Sequence, residues 1–120
     1  MNSTIRVAFA TNDKENIDAH FGKSKQFQTY KISAKESIFL ENIDIKEKNT
    51  DKTISLLEDI DLVYFVDIGP VAAAKIIRKG IFPIKYKEII RIKDELKKLE
   101  SMLSKNPPPF IKKILKKRAA

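Results

Sequence analysis

The chain contains no cysteine. Disulfides and thiolate metal sites are therefore excluded, and a reducing cytoplasm is compatible with the composition. No segment approaches the roughly 20 apolar residues of a membrane span. The N-terminus "MNSTIRVAFATNDKEN" has no basic region leading into an apolar run of signal-peptide length. A soluble cytoplasmic protein is expected. Neither a Walker phosphate loop nor a G-x-G-x-x-G occurs. A serine triad would have to use His20, the sole histidine, and no G-x-S-x-G elbow accompanies it. A two-metal nuclease would want carboxylates on its first central strand, and "TIRVAFAT" has none. Enzymatic activity is not expected.

What is present fits one modest domain. The 120 residues are 42% hydrophobic, enough for a core and too much for wholesale disorder. The net charge is +8, unevenly spread. Residues 105–120 carry six basic groups (Lys105, Lys112, Lys113, Lys116, Lys117, Arg118) and no acid, whereas residues 1–104 hold 18 basic groups against 16 acids. A nearly balanced body with a cationic tail argues against nucleic acid, whose binders usually carry the basic patch on the folded body.

Along the chain, "TIRVAFAT" (4–11) and "DLVYFVDI" (61–68) read as strands buried on both faces. Residues 12–25 read as a long polar loop. "KQFQTYKI" (25–32) and "SIFLENIDI" (37–45), joined by the short "SAKE", read as an antiparallel hairpin. "NTDKTISLLEDI" (49–60) reads as a helix capped by Asn49 or Thr50. In "GPVAAAKIIRKG" the alanines favour helix, Pro70 suits its first position and Gly80 the residue after its last turn. "IFPIKY" (81–86) is a short strand that Pro83 places at a sheet edge or strand start. Ile92, Leu96, Leu99 and Leu103 mark an amphipathic helix over 92–105. "NPPPF" stops it, and "FIKKILKK" has room for one or two further helical turns before a partly ordered tail. The expected architecture is a single α/β domain, 1–105, with a mixed sheet of about five strands flanked by helices. A proline-rich stop and a basic tail follow over 106–120. That tail reads as a solvated end, or as a docking segment for an acidic partner.

If strands 4–11 and 61–68 run parallel, their carboxyl ends share one edge, where open α/β folds bind ligands. His20, Lys23, Lys25 and the helix start after Gly69-Pro70 would then lie on one face. A helix N-terminus and two lysines favour an anion, and an imidazole can ligate a borderline metal. Plainer readings stand beside this one. His20 could be a solvated turn residue, Phe21 and Phe27 core anchors, Gly22 a source of positive φ, Lys23 and Lys25 solvated charges, and Gly69-Pro70 a structural turn. Asp13, Asp18 and His20 could form a hard-cation site, although their spacing matches no calcium-loop pattern.

Three ordered blocks carry a family resemblance. "RVAFATNDKENIDAHFGKSKQFQTYKIS", "DLVYFVDIGPVAAAKIIRKGIFPIK" and "LKKLESMLSKNPPPFIKKIL" together resemble the nitrogenase iron–molybdenum cofactor biosynthesis family. This is the NifX-like domain shared by NifX, NafY and the end of NifB. The resemblance implies a ribonuclease-H-like α/β fold without nuclease activity. It also implies a small cytoplasmic carrier, a monomer, that holds iron–sulfur precursors of the cofactor and passes them between a donor and an acceptor scaffold. The alternative is a regulator of nitrogenase assembly that holds no cluster. Nucleic acid and membrane are not implied as partners. The family's histidine carries over to His20 as metal contact. Around it Phe21, Gly22, Lys23, Lys25, Gly69 and Pro70 form the expected cofactor-binding surface. Two differences stand out. Only Gly69 precedes Pro70 where relatives often have two glycines, and Ser24 lies near the H-F-G motif where some relatives carry a cysteine.

Overall fold

The two most apolar runs of the chain become neighbouring parallel strands at the centre of one sheet. A computed structural model describes residues 4–119. Residues 1–3 and 120, part of the expected domain and tail, lie outside the described residues. The elements in chain order are β1 (Ile5–Thr11), β2 (Asn16–Ile17), a 3-10 turn (Phe21–Lys23), β3 (Gln26–Ile32), β4 (Ser37–Asp44), α1 (Thr50–Leu56), β5 (Leu62–Phe65), α2 (Pro70–Arg78), β6 (Phe82–Lys85), β7 (Ile90–Arg91), α3 (Ile92–Ser104) and α4 (Pro109–Ala119). The main sheet has five strands in the order β4-β3-β1-β5-β6. β1 pairs antiparallel with β3 and parallel with β5, and β6 continues the parallel half. This is the mixed α/β arrangement expected from the sequence.

Alternation along the strands divides the core in two. Ala8, Ala10, Val63 and Phe65 face Ile54 and Leu57 from the α1 segment and Ile76 of α2. Ile5, Val7, Phe9, Leu62 and Tyr64 face Ile92, Leu99 and Leu103 of α3 and Ile111 of α4. Both faces of β1 and β5 are covered, which is why these runs lack a polar side. Local chemistry sets the ends. The Ser33 hydroxyl accepts from the amides of Lys35 and Glu36 and closes the β3–β4 hairpin. Asn49, not Thr50, caps α1 by accepting from the Lys52 amide at 3.0 Å. Pro70 opens α2, and Gly80, at φ +83°, ends it in a left-handed conformation that disfavours side chains.

Four expectations need correction. α1 stops at Leu56 rather than Ile60, and β5 spans four residues rather than eight. The 12–25 loop contains β2, which pairs antiparallel with β7 and buries Ile17 completely. The segment after the prolines is not a partly ordered tail. α4 runs through Ala119, with Ile111 fully buried. Its Arg118 guanidinium donates to Asp61 at 2.6 Å and to the Asp59 carbonyl at 2.9 Å. Ile111, Ile114, Leu115 and Arg118 lie on one helical face against the protein, leaving Lys112, Lys113, Lys116 and Lys117 outside. The basic charge therefore sits on the folded body, and the charge-distribution argument against nucleic acid loses its premise. Among the described residues, no helix is long and apolar enough to cross a membrane.

Candidate functional site

The loop leaving β1 is held by its own polar residues. Asp13 accepts from the amides of Glu15 and Asn16 at 2.8 Å each and from the Asn16 side chain at 2.6 Å. The Asn16 side-chain bond leads the causes that lower the Asp13 pKa to about 2. Lys14 takes a positive φ of 69° within this turn. Asp18 accepts from the Asn12 amide at 2.7 Å, and Asn12 in turn accepts from the Lys25 amide at 3.0 Å. The loop's acids thus serve its backbone. Among the described residues, no three His, Cys, Asp or Glu side chains converge on a metal position, so the hard-cation site considered for Asp13, Asp18 and His20 does not form.

Beyond this turn the chain runs alongside the end of β5. The Val66 amide donates to the Ala19 carbonyl at 3.0 Å and the Phe21 amide to the Asp67 carbonyl at 2.8 Å. His20 and Asp67 form a parallel bridge. The ring of Phe21 turns inward, edge-on to Phe27 at 5.5 Å and to Phe65 at 6.1 Å. Phe21 and Phe27 are both buried and anchor the loop, so Phe21 offers the site its backbone rather than its ring.

His20 starts the 3-10 turn. Its Nδ1 accepts from the Gly22 amide at 3.0 Å, while its carbonyl accepts from the Lys23 amide at 3.0 Å. A neutral imidazole whose Nδ1 accepts carries its hydrogen on Nε2. The half-buried ring therefore presents an N–H donor as its remaining polar atom.

Gly22 is exposed and does not have positive φ, contrary to the expectation. A Cβ there would meet His20 at 3.5 Å, ordinary van der Waals contact. Gly22→Ala should therefore leave thermal stability within about 0.5 kcal/mol of wild type, as for a surface substitution without a special role. A calorimetric loss several times larger would show that the turn needs glycine.

Lys23 and Lys25 are exposed beside the turn. Ser24 is buried, accepting from the Thr11 amide at 3.1 Å and donating to the Gln26 carbonyl at 2.6 Å. A side chain at this position points into the protein and not toward the lysines.

Two residues after Asp67, Gly69 caps α2 without a side-chain bond, and its carbonyl accepts the first helical bond from the Ala73 amide. Pro70 has no N–H, so the amides of Val71 and Ala72 are the helix's open donors. A Cβ on Gly69 would meet nothing within 4 Å, so the space before the helix start is open. The structure thus brings His20, the 3-10 turn and the start of α2 to one edge of the sheet.

Sequence reasoning missed two members of this edge. Asp67 pairs with His20 through the backbone and forms an ion pair with Lys85 at 3.1 Å. The Ile68 amide, then Lys85, holds the Asp67 carboxyl below its usual range. Lys85 ends β6, and applying the carboxyl-end rule to this third parallel strand would have found it. The edge carries Lys23, Lys25, Lys85 and one imidazole, while its carboxylates are engaged, Asp67 with Lys85 and Asp13 and Asp18 with loop amides, an arrangement suited to an anion.

The protein family described as "Dinitrogenase iron-molybdenum cofactor" matches residues 3–102. The chain is 33% identical to protein NifX of Rhodobacter capsulatus over 123 residues, covering 92% of this chain and 77% of that protein. It is 30% identical to protein NifY of Azotobacter vinelandii, covering 93% of this chain but 48% of NifY. In three dimensions it overlays the crystal structure of PH0822 with a TM-score of 0.68 at 24% identity, over 80% of this chain and 90% of that one.

Proposed function

Because the chain belongs to the dinitrogenase iron–molybdenum cofactor family, we propose that it is a non-enzymatic carrier. In this reading it holds iron–sulfur precursors of that cofactor and passes them between assembly proteins during nitrogen fixation. The coarser role, participation in iron–molybdenum cofactor biosynthesis, follows from the family and from the NifX and NifY relatives. The observation that carries the finer reading is the His20 imidazole, held by Gly22 at the carboxyl edge of the sheet beside the exposed Lys23 and Lys25.

The chemistry favours docking over tight ligation. With no cysteine, this chain has no thiolate to offer a cluster. For His20 to ligate iron through Nε2, the ring proton must leave or move to Nδ1. On Nδ1 it would confront the Gly22 N–H. Donation from Nε2–H to a sulfide or oxygen of the cargo keeps the Gly22 bond intact. Lys23, Lys25 and the amides of Val71 and Ala72 at the start of α2 add charge complementarity, with Gly69 and Pro70 leaving their approach open. Gly22 contributes the amide that orients the ring, and Phe21 fixes the segment from below. A site of one imidazole and diffuse positive charge suits cargo that must be released.

Anaerobic titration with isolated cofactor precursor, followed by visible absorption, tests the reading. His20→Ala should weaken binding at least about tenfold, the loss of one charge-assisted hydrogen bond of about 1.5–3 kcal/mol. Its circular dichroism should be unchanged. Equal affinity in the variant would remove His20 from the site. Absence of any binding to wild type would favour the regulator that holds no cluster.

A further inference from the structure

We propose that the free edge formed by β6 and α4 is a docking strip for an acidic segment of a partner protein that carries bulky apolar side chains. β6 is the outermost strand of the parallel half of the sheet. A groove of about 540 Å³ lies between the end of α2, β6 and α4, with Ile77, Phe82, Pro83, Phe110 and Ile114 among its lining residues. Two of these are unusually exposed for large apolar groups, Ile77 at 61% and Phe82 at 44%. Part of the floor is a stacked pair, the rings of Phe82 and Phe110 at 4.9 Å with 22° between their planes. A second hollow of about 390 Å³ shares Phe82, Pro83 and Phe110 and continues the strip to Tyr86 and Met102.

The rim decides what fits. Lys113 and Lys117 border the first hollow and Lys85 and Lys98 the second. Among the described residues the one acid lining either hollow is Glu95, which is 4% exposed and bonded to the Tyr86 hydroxyl. The strip is thus apolar at its centre and cationic at its margin, the complement of an acidic amphipathic segment. Strand addition is disfavoured, since Pro83 has no N–H to offer along the edge. A second copy in a twofold dimer is disfavoured too, because the same patch would meet itself and oppose Lys113 and Lys117 to their own copies. Side-chain insertion by an acidic helix satisfies both constraints.

The strip also ends where cargo handling would need it. Lys85, at its far end, pairs with Asp67, the bridge partner of His20. A partner seated on β6 therefore lies beside the edge that carries the imidazole. Only this use in cargo transfer rests on the carrier reading; the docking strip itself does not.

The probe is a fluorescein-labelled synthetic helix-forming peptide with Leu and Phe at i, i+3, i+4 and i+7 and glutamates elsewhere, titrated into the full chain and followed by anisotropy. Saturable binding that weakens with salt is expected. The triple variant Ile77→Asp, Lys113→Glu, Lys117→Glu changes exposed positions, and its unchanged circular dichroism confirms folding. It should bind at least about tenfold more weakly, the effect expected for loss of an apolar anchor and reversal of rim charge. His20→Ala should bind the peptide like wild type, which separates this strip from the cargo site. Four outcomes would each overturn the proposal. They are equal binding by the triple variant, equal binding of a scrambled peptide of the same composition, displacement of the peptide by single-stranded DNA at the peptide's own concentration, and a concentration-dependent dimer abolished by Ile77→Asp.

Discussion

Ile111→Ala should destabilise the protein by about 2–5 kcal/mol, the range for deleting a fully buried Ile side chain. The midpoint of thermal unfolding should fall by roughly 8–20 °C. Lys112→Ala, one residue along on the exposed face, should stay within about 0.5 kcal/mol of wild type. The contrast follows from how α4 is attached. Ile111 has no exposure and belongs to the cluster built from β1, β5 and α3. Phe110 adds its stack on Phe82, and Arg118 closes the other end on Asp61, which also accepts from the Arg6 amide at 2.8 Å. Loss of such a fraction of a total stability of about 5–15 kcal/mol would be plain in a urea titration. Truncation after Lys105 should be more damaging still, because it removes Ile111 together with Phe110, Ile114 and Leu115 from the cluster that β1, β5 and α3 share. A truncated chain is therefore a poor probe of partner binding, and the charge-reversal variant is the better one. If Ile111→Ala and Lys112→Ala unfolded alike, α4 would not be a packed element.

The prominence of α4 also shows what the sequence could convey. β1 and β5 were readable because continuous apolar runs of strand length have few alternatives when helices cover both faces. The hairpin was readable from alternation, and α2 from Pro70 and Gly80 at its ends. One or two helical turns of α4 were readable in "FIKKILKK", but its full length and its packing were hidden by its neighbours. Three prolines and a run of lysines resemble the end of a fold, although Ile111, Ile114, Leu115 and Arg118 repeat at helical spacing. β2 and β7 have two residues each, too few for any period to emerge. At the candidate site the carboxyl-end rule put His20 and the start of α2 on one edge, and the structure pairs His20 with Asp67, three residues before Pro70. Extended to β6 the rule would also have supplied Lys85, but it could not supply Asp67 as the partner of His20, which depends on which backbone atoms pair. Nor could it assign Gly22, whose value lies in an amide aimed at Nδ1 rather than in an unusual φ.

Glu95→Leu should cost about 1–3 kcal/mol, and the double variant Glu95→Leu, Tyr86→Phe should cost less than the sum of its two single changes. The argument starts from the Tyr86 hydroxyl, which contacts both carboxylate oxygens of Glu95 at 3.0 Å in a largely buried setting. Tyr64, 1% exposed, lies close by. Its phenol pKa is raised first by burial and then by Glu95, and that of Tyr86 is raised by the same two causes in the same order. Leucine fills the volume but accepts no hydrogen bond, so it leaves phenol donors without a partner. That penalty exceeds the net value of the bond itself. Removing the Tyr86 hydroxyl as well deletes a stranded donor, and paired apolar replacement of a buried contact can be close to neutral. Urea unfolding of the four proteins in the cycle measures the coupling. Strict additivity would show that the contact between Tyr86 and Glu95 contributes nothing of its own. A favourable coupling would mean that the pair does two things at once. It ties α3 to the end of β6, and by keeping the carboxylate turned inward it leaves the outer margin of that edge to Lys85, Lys98, Lys113 and Lys117.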